Sequence, residues 1–343
     1  MSQKNDTITL LLTLVITSII VGGVWVVFGP FLNQLFNQSR LLETNTTEKS
    51  PETFADVKNV PEGLFDYGGS TTWAPIRKEV DEAIQTVYPK FSLRYTDPIG
   101  GNPGSGTGIK MLLNNQLAFS QSSRSLKTKE YEEAEKKDFK LKEIPVAIDG
   151  IAIAINPNLK VSGITVSQLK DIYTGKIKNW SEVGGSNMPI IPYSRTKQAG
   201  GTVEFFVENV MEGEEFGNNI EYVYSTTLAL RKVADNLGSI YYASAPEVIP
   251  QCTVKTLPIG RNAANFISPY QLPLKPLSQC PKERNQLNIE AFKTGEYPLT
   301  RRLFVIVKQN GQKDEIAGLK YVELLLTNQG QKLISQAGFV PIN

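Results

Sequence analysis

Histidine is absent from all 343 residues of the chain. That removes Ser-His-Asp and Cys-His catalysis, imidazole acid–base chemistry and every histidine-containing metal site. Cysteine is nearly as scarce. The chain holds two, Cys252 and Cys280, too few for a thiolate zinc site. They are either two free buried thiols or, in an oxidising compartment, a disulfide. No charge of one sign dominates: 36 Lys and Arg stand against 34 Asp and Glu, a formal charge of +2. That balance argues against a nucleic-acid binder. Hydrophobic residues make up 41%, enough for a globular core, and the length allows two domains or one bilobed domain. No internal repeat is evident.

What is present begins with residues 8–28, an uncharged apolar run ending in Trp25 and Phe28. It is long enough to cross a bilayer as a helix. Lys4 precedes it and no Lys or Arg follows until Arg40, which places the short N-terminus in the cytoplasm and the rest of the chain outside. The run is longer than the apolar part of a signal peptide and no A-x-A site follows it, so residues 1–36 read as an uncleaved signal anchor. Export then pairs Cys252 with Cys280. Residues 37–59, rich in Thr, Glu, Asn and Ser, read as a flexible polar linker.

From residue 60 onward strand patterns alternate with helix patterns, which argues an α/β architecture. Ile76, Val80, Ile84 and Val87 fit one helix face with Pro75 in its first turn. Residues 117–126 read as a strand running into a serine loop. Residues 127–140 read as a solvated helix with Glu132–Lys136 and Glu133–Lys137 pairs. Residues 144–155 form a nearly continuous apolar strand interrupted by Asp149, which is either exposed by a turn or holds a partner. Thr165 and Gln168 make a capping box ahead of a helix that stops at Gly175. Further helices are expected over 225–236, 316–326 and 329–336, with strands over 240–243 and 303–307.

Three stretches share a design, hydroxyls and glycines immediately ahead of a helix. They are Ser70, Thr71 and Thr72; Ser105 and Thr107 in a glycine-rich loop; and Gly200, Gly201 and Thr202, preceded by Arg195. A helix start offers unpaired N–H groups and the positive end of the dipole. Glycine lets a ligand approach the main chain, and arginine offers a planar fork of donors. In open α/β sheets such loops gather at the carboxyl ends of strands. Three converging helix starts with an arginine would hold a dehydrated oxyanion without a metal or other cofactor. The glycine loops match neither a Walker A loop nor a dinucleotide fingerprint.

The segments GGSTT-x-AP, GSGTG, SSRSL, DIYTGKIKNW, SR…GGT…FF, GSIYYAS, EYPLTRRL and GQKLISQAGFVPI occur in that order. In this the chain resembles the substrate-binding proteins of phosphate-type ABC transporters, over about residues 60–343. The resemblance implies a bilobed periplasmic binding-protein fold of type II, two α/β lobes joined by crossing strands. Lobe 1 would comprise 60–144 and 253–343, and lobe 2 would comprise 145–252. The family's ligand-binding positions carry over onto Ser70, Thr71 and Thr72, onto Ser105, onto Ser123 in the serine loop, and onto Arg195 with Gly201 and Thr202. Three features depart from the pattern. Ser123 stands where well-known phosphate binders of the group place an aspartate, whose charge repels fully ionised sulfate. Gly200 replaces a serine, in a loop one residue longer. Lys197 lies near the place of an acidic partner for the arginine.

The resulting expectation is a membrane-anchored, extracytoplasmic binding protein, monomeric in its soluble part. It would capture phosphate or a similar tetrahedral oxyanion for ABC permease subunits. The alternatives are an oxyanion sensor or interaction protein on the same fold, and a serine-based hydrolase, which the missing histidine base disfavours.

Overall fold

The computed structural model describes residues 51–196, 200–280 and 282–343. The anchor expected over 8–28, the first part of the linker and Lys197 lie outside the described residues. Where the linker is described it is not a tether. Phe54 and Val57 are buried, the backbone N–H of Phe54 donates to the side chain of Gln329, and Tyr88 donates to the carbonyls of Phe54 and Val57. Two apolar side chains in a polar run suffice to pin it, because each fully buried one contributes roughly 1.5–3 kcal/mol.

The first strands and helices follow the expected alternation. They are β1 (Gly63–Gly69), α1 (Ala74–Val87), β2 (Phe91–Tyr95), α2 (Ser105–Leu113), β3 (Phe119–Ser122) and α3 (Thr128–Glu135). α1 buries Ile76, Val80 and Ile84 as its period requires, whereas Val87, at its end, is exposed. α3 is less passive than a solvated helix. Ala134 is fully buried, and Lys137 reaches the carbonyl of Leu113 and Asn114 in place of the expected pairing with Glu133.

The second half holds β4 (Lys140–Ile155), α4 (Val166–Tyr173), β5 (Ile191–Ser194), α5 (Gly201–Asn209), β6 (Glu221–Tyr222), α6 (Thr226–Asp235) and β7 (Ser239–Ser244). It continues to β8 (Thr300–Gln309), α7 (Lys313–Leu326) and α8 (Asn328–Gln336). Thr165 and Gln168 form the capping box reciprocally, at 3.1 and 2.9 Å. Cys252 and Cys280 are joined in a disulfide.

Among the described residues the main sheet runs β2-β1-β3-β8-β4-β7-β5-β6. The neighbours β1–β2, β1–β3, β5–β7 and β5–β6 are parallel, and the central pairs are antiparallel. β4 changes partner along its length. Up to Gly150 it pairs with β8, and from Ile151 it pairs with β7. Hydrophobic side chains divide accordingly. One core gathers around Trp73, Phe119, Val305 and Tyr321, and another around Ile153, Tyr173, Phe206 and Tyr242. The change of cores therefore falls near residue 150, later than the expected 145. The second core also runs past Cys252: Leu257, Ile259, Phe292, Tyr297 and Leu299 belong to it. Among the described residues no helix is long and apolar enough to cross a membrane.

A candidate oxyanion site where three helix starts meet

β1 and β3 are parallel neighbours, so the turns at their carboxyl ends lie side by side. The turn after β1 places Ser70 ahead of a short 3-10 turn, Thr71–Trp73, and its hydroxyl accepts from the N–H of Thr72 at 3.3 Å. Trp73 donates its indole N–H to the carbonyl of Ser122 at 3.1 Å. That bond locks the turn onto the serine loop. Three hydroxyls converge there. Ser123 Oγ lies 3.0 Å from Ser70 Oγ and 3.1 Å from Ser105 Oγ, and the N–H of Ser123 donates to Ser105 Oγ at 3.0 Å. All three serines are buried.

The start of α5 closes onto this cluster. A Cβ on Gly201 would stand 2.2 Å from Ser123 Oγ, 3.2 Å from Ser70 Oγ and 3.4 Å from Ser105 Oγ. No side chain fits there, so glycine is required by space. At Gly200 it is required by conformation as well: φ is +112°, and a Cβ would meet Thr71 Oγ1 at 2.7 Å. The first turns of Thr71–Trp73, α2 and α5 thus share one spot, with Ser70, Thr71, Ser105, Ser123, Gly200 and Gly201 around it.

Other expected residues stand differently. Thr107 donates its hydroxyl to the carbonyl of Asn102 at 3.1 Å. It lines a cavity of about 330 Å³ with Gly104, Gly106, Gly200, Val203 and Glu204, beside the serine cluster. The hydroxyls of Thr72 and Thr202 turn to a guanidinium, and that guanidinium is not Arg195. It is Arg301, on β8, whose Nη2 lies 3.0 Å from Thr72 Oγ1 and 3.2 Å from Thr202 Oγ1. Its Nη1 donates to the carbonyl of Gly201 at 2.7 Å. Asp149 balances the charge, accepting from Arg301 Nε and Nη2 at 3.0 and 2.7 Å and from Ser244 Oγ at 2.7 Å. Asp149 therefore has a partner and is not exposed by a turn.

Arg195 follows β5 directly, and among the described residues its Nε is buried without a hydrogen-bond partner. A buried N–H on a cation left unpaired costs on the order of 1–3 kcal/mol or more, so this group has a donor to offer. Lys197, expected near it, lies outside the described residues.

Next to the cluster Arg124 spans from the serine loop to α5. It pairs with Glu130 at 2.8 Å and with Glu204 at 2.9 Å. Burial alone would lower its pKa, but hydrogen bonds and charge from Glu130 and Glu204 raise it above the ordinary value. Lys127 pairs with Glu208 on the same helix. The polarity of residues 127–140 gives no sign of either contact. Arg301 lies within the landmark EYPLTRRL, where no local motif marks it as part of a site. The available signal was a paired basic run at the head of an otherwise apolar strand, opposite a lone acid in another.

The arrangement gathers donor groups of the kind that suit an anion. Its donors are hydroxyls and helix-start N–H groups in a dry setting. The serine hydroxyls bond to one another, and the carboxylate nearby is taken up by Arg301 and Ser244.

A family model described as a PBP superfamily domain matches residues 44–329. A phosphate-binding protein PstS of Staphylococcus haemolyticus is 28% identical over 277 residues, 79% of this chain and 79% of its own length. A Clostridium perfringens structure, described as a phosphate ABC transporter substrate-binding protein with bound phosphate, aligns with a TM-score of 0.63 at 25% identity. The alignment covers 82% of this chain and 100% of that one. An ABC-type phosphate transport receptor of Vibrio cholerae gives 0.64 at 21% identity, covering 80% and 99%.

Proposed function

The chain belongs to the PBP superfamily, and from that membership we propose that it is the phosphate-binding receptor of an ABC importer. It acts outside the cytoplasm, takes up phosphate and does not turn it over. The observation that carries this reading is the meeting of three hydroxylated helix starts, with Gly201 against Ser70, Ser105 and Ser123. Phosphate-binding relatives similar over most of the chain support it.

In this reading the anion enters between the serine cluster and α5. The hydroxyls of Ser70, Thr71, Ser105 and Ser123 and the N–H groups around Gly200, Gly201 and Thr202 receive its oxygens. Arg195 supplies the cation through the donor it holds unpaired. Thr107 lies at the rim. The two cores act as lobes of a type II binding-protein fold, divided near residues 150 and 299. Their closure excludes water and strengthens each charge-assisted bond. Residues 8–28 hold the protein at the membrane beside the permease subunits, which take the anion when the lobes part. Ser123 leaves the serine cluster without a carboxylate, so sulfate meets no charge penalty there.

Calorimetry of the detergent-solubilised protein with phosphate, sulfate and molybdate tests this. Phosphate binds, sulfate competes with it, and Arg195→Ala weakens both. No heat of binding with any oxyanion refutes the reading.

A further inference from the structure

We propose that Arg301 is a positioning residue of this site: held by Asp149, it fixes the first turn of α5 against the turn after β1, so anion affinity depends on a group that does not bind the anion. The inference rests on the oxyanion-binding reading above.

The geometry is specific. Arg301 and Asp149 are directly opposite in the antiparallel β4–β8 ladder. The pair stands one residue before β4 leaves β8 for β7, where the two cores meet. Both side chains are almost wholly buried, at 2% and 0% exposure. From this pivot the guanidinium reaches Thr72 on one side and Gly201 and Thr202 on the other. Ser244 at the end of β7 donates to the second oxygen of Asp149.

Donor accounting separates the two arginines. A guanidinium has five N–H donors. Nε–H and one Nη2–H of Arg301 go to Asp149, the other Nη2–H is shared by Thr72 and Thr202, and one Nη1–H goes to Gly201. One Nη1–H remains, so the group is nearly saturated within the protein. Arg195 has its buried Nε without a partner among the described residues. One arginine sets the distance between helix starts, and the other is left for the ligand. A lysine at 301 would keep the charge but not the planar fork that spans three elements.

The experiment compares Asp149→Asn, Arg301→Lys, Thr72→Val and Thr72→Ser with the wild type, in the full chain. Phosphate affinity is read by calorimetry and the ligand-free melting temperature alongside. Through-space electrostatics alone predicts that Asp149→Asn binds phosphate more tightly, since a negative charge is lost beside the site. Positioning predicts the opposite sign, about a tenfold loss. Arg301→Lys loses at least as much. Thr72→Val keeps the ion pair and the fold, loses one contact of the fork and weakens binding several-fold, while Thr72→Ser restores it. Wild-type affinity in Thr72→Val, or unchanged or tighter binding in folded Asp149→Asn, overturns the proposal. If the charge variants do not fold, the threonine pair decides. Failure of the wild type to bind any oxyanion overturns the underlying reading instead.

Discussion

Gly201→Ala probes the meeting of helix starts most directly. The added methyl group would lie 2.2 Å from Ser123 Oγ, about 1.2 Å short of ordinary van der Waals contact. Ser123 cannot yield freely, because its hydroxyl is held at 3.0 and 3.1 Å by Ser70 and Ser105. Moving it breaks two hydroxyl bonds worth about 1 kcal/mol each. Moving α5 instead strains the Gly201 carbonyl bond to Arg301. Overpacking of this kind costs roughly 1–3 kcal/mol; in the proposed mechanism it falls on the closed, anion-bound state and is relieved when the lobes part, so it lowers affinity at about 1.4 kcal/mol per tenfold. In the proposed binding mode the same methyl also stands where the anion would enter. We expect the phosphate Kd to rise roughly 10- to 100-fold by calorimetry, with far-UV circular dichroism unchanged, because alanine is a good residue for a helix. Gly101→Ala is the control, since its Cβ would meet nothing within 4 Å. Equal phosphate affinity in Gly201→Ala and wild type would refute the assignment of this spot as the binding site.

Two further expectations concern stability. Asp81 accepts hydrogen bonds from Tyr67 and Tyr321. Burial outweighs these bonds and the charge of Arg77 and raises its pKa from 3.8 to about 6. Its folded value exceeds its unfolded value, so ionisation destabilises the protein at pH 7, and the cost is relieved as pH falls through about 6. Between pH 7 and 5, urea denaturation should show the wild type gaining about 1 kcal/mol relative to Asp81→Asn; a difference that is flat or of opposite sign counts against it. Reducing the Cys252–Cys280 bond, whose partners are 28 residues apart, should cost about 3–4 kcal/mol through chain entropy. An unchanged urea midpoint after complete reduction would contradict that estimate.

Local patterns were legible where one element answers to its own sequence. Ile76, Val80 and Ile84 repeat on the helical period, and all three are buried. Thr165 and Gln168 cap their helix because both ends of the box lie within one turn. The hydroxyl-and-glycine loops could be recognised for the same reason, as could the series of landmarks that pointed to the family. Over residues 51–59 average polarity misleads, because Phe54 and Val57 act singly and are buried.

By itself the chain of residues determined the α/β alternation, the class of chemistry its missing histidine permits, and which loops could offer donors to an anion. Tertiary structure decided where their side chains turn. It turned Thr72 and Thr202 toward a guanidinium, sent Thr107 to its own loop, and chose Arg301 over Arg195 as the link between helix starts. Arg301 and Asp149 lie 152 residues apart. They meet because two strands pair in one register, and register depends on the packing of both cores together rather than on any local period.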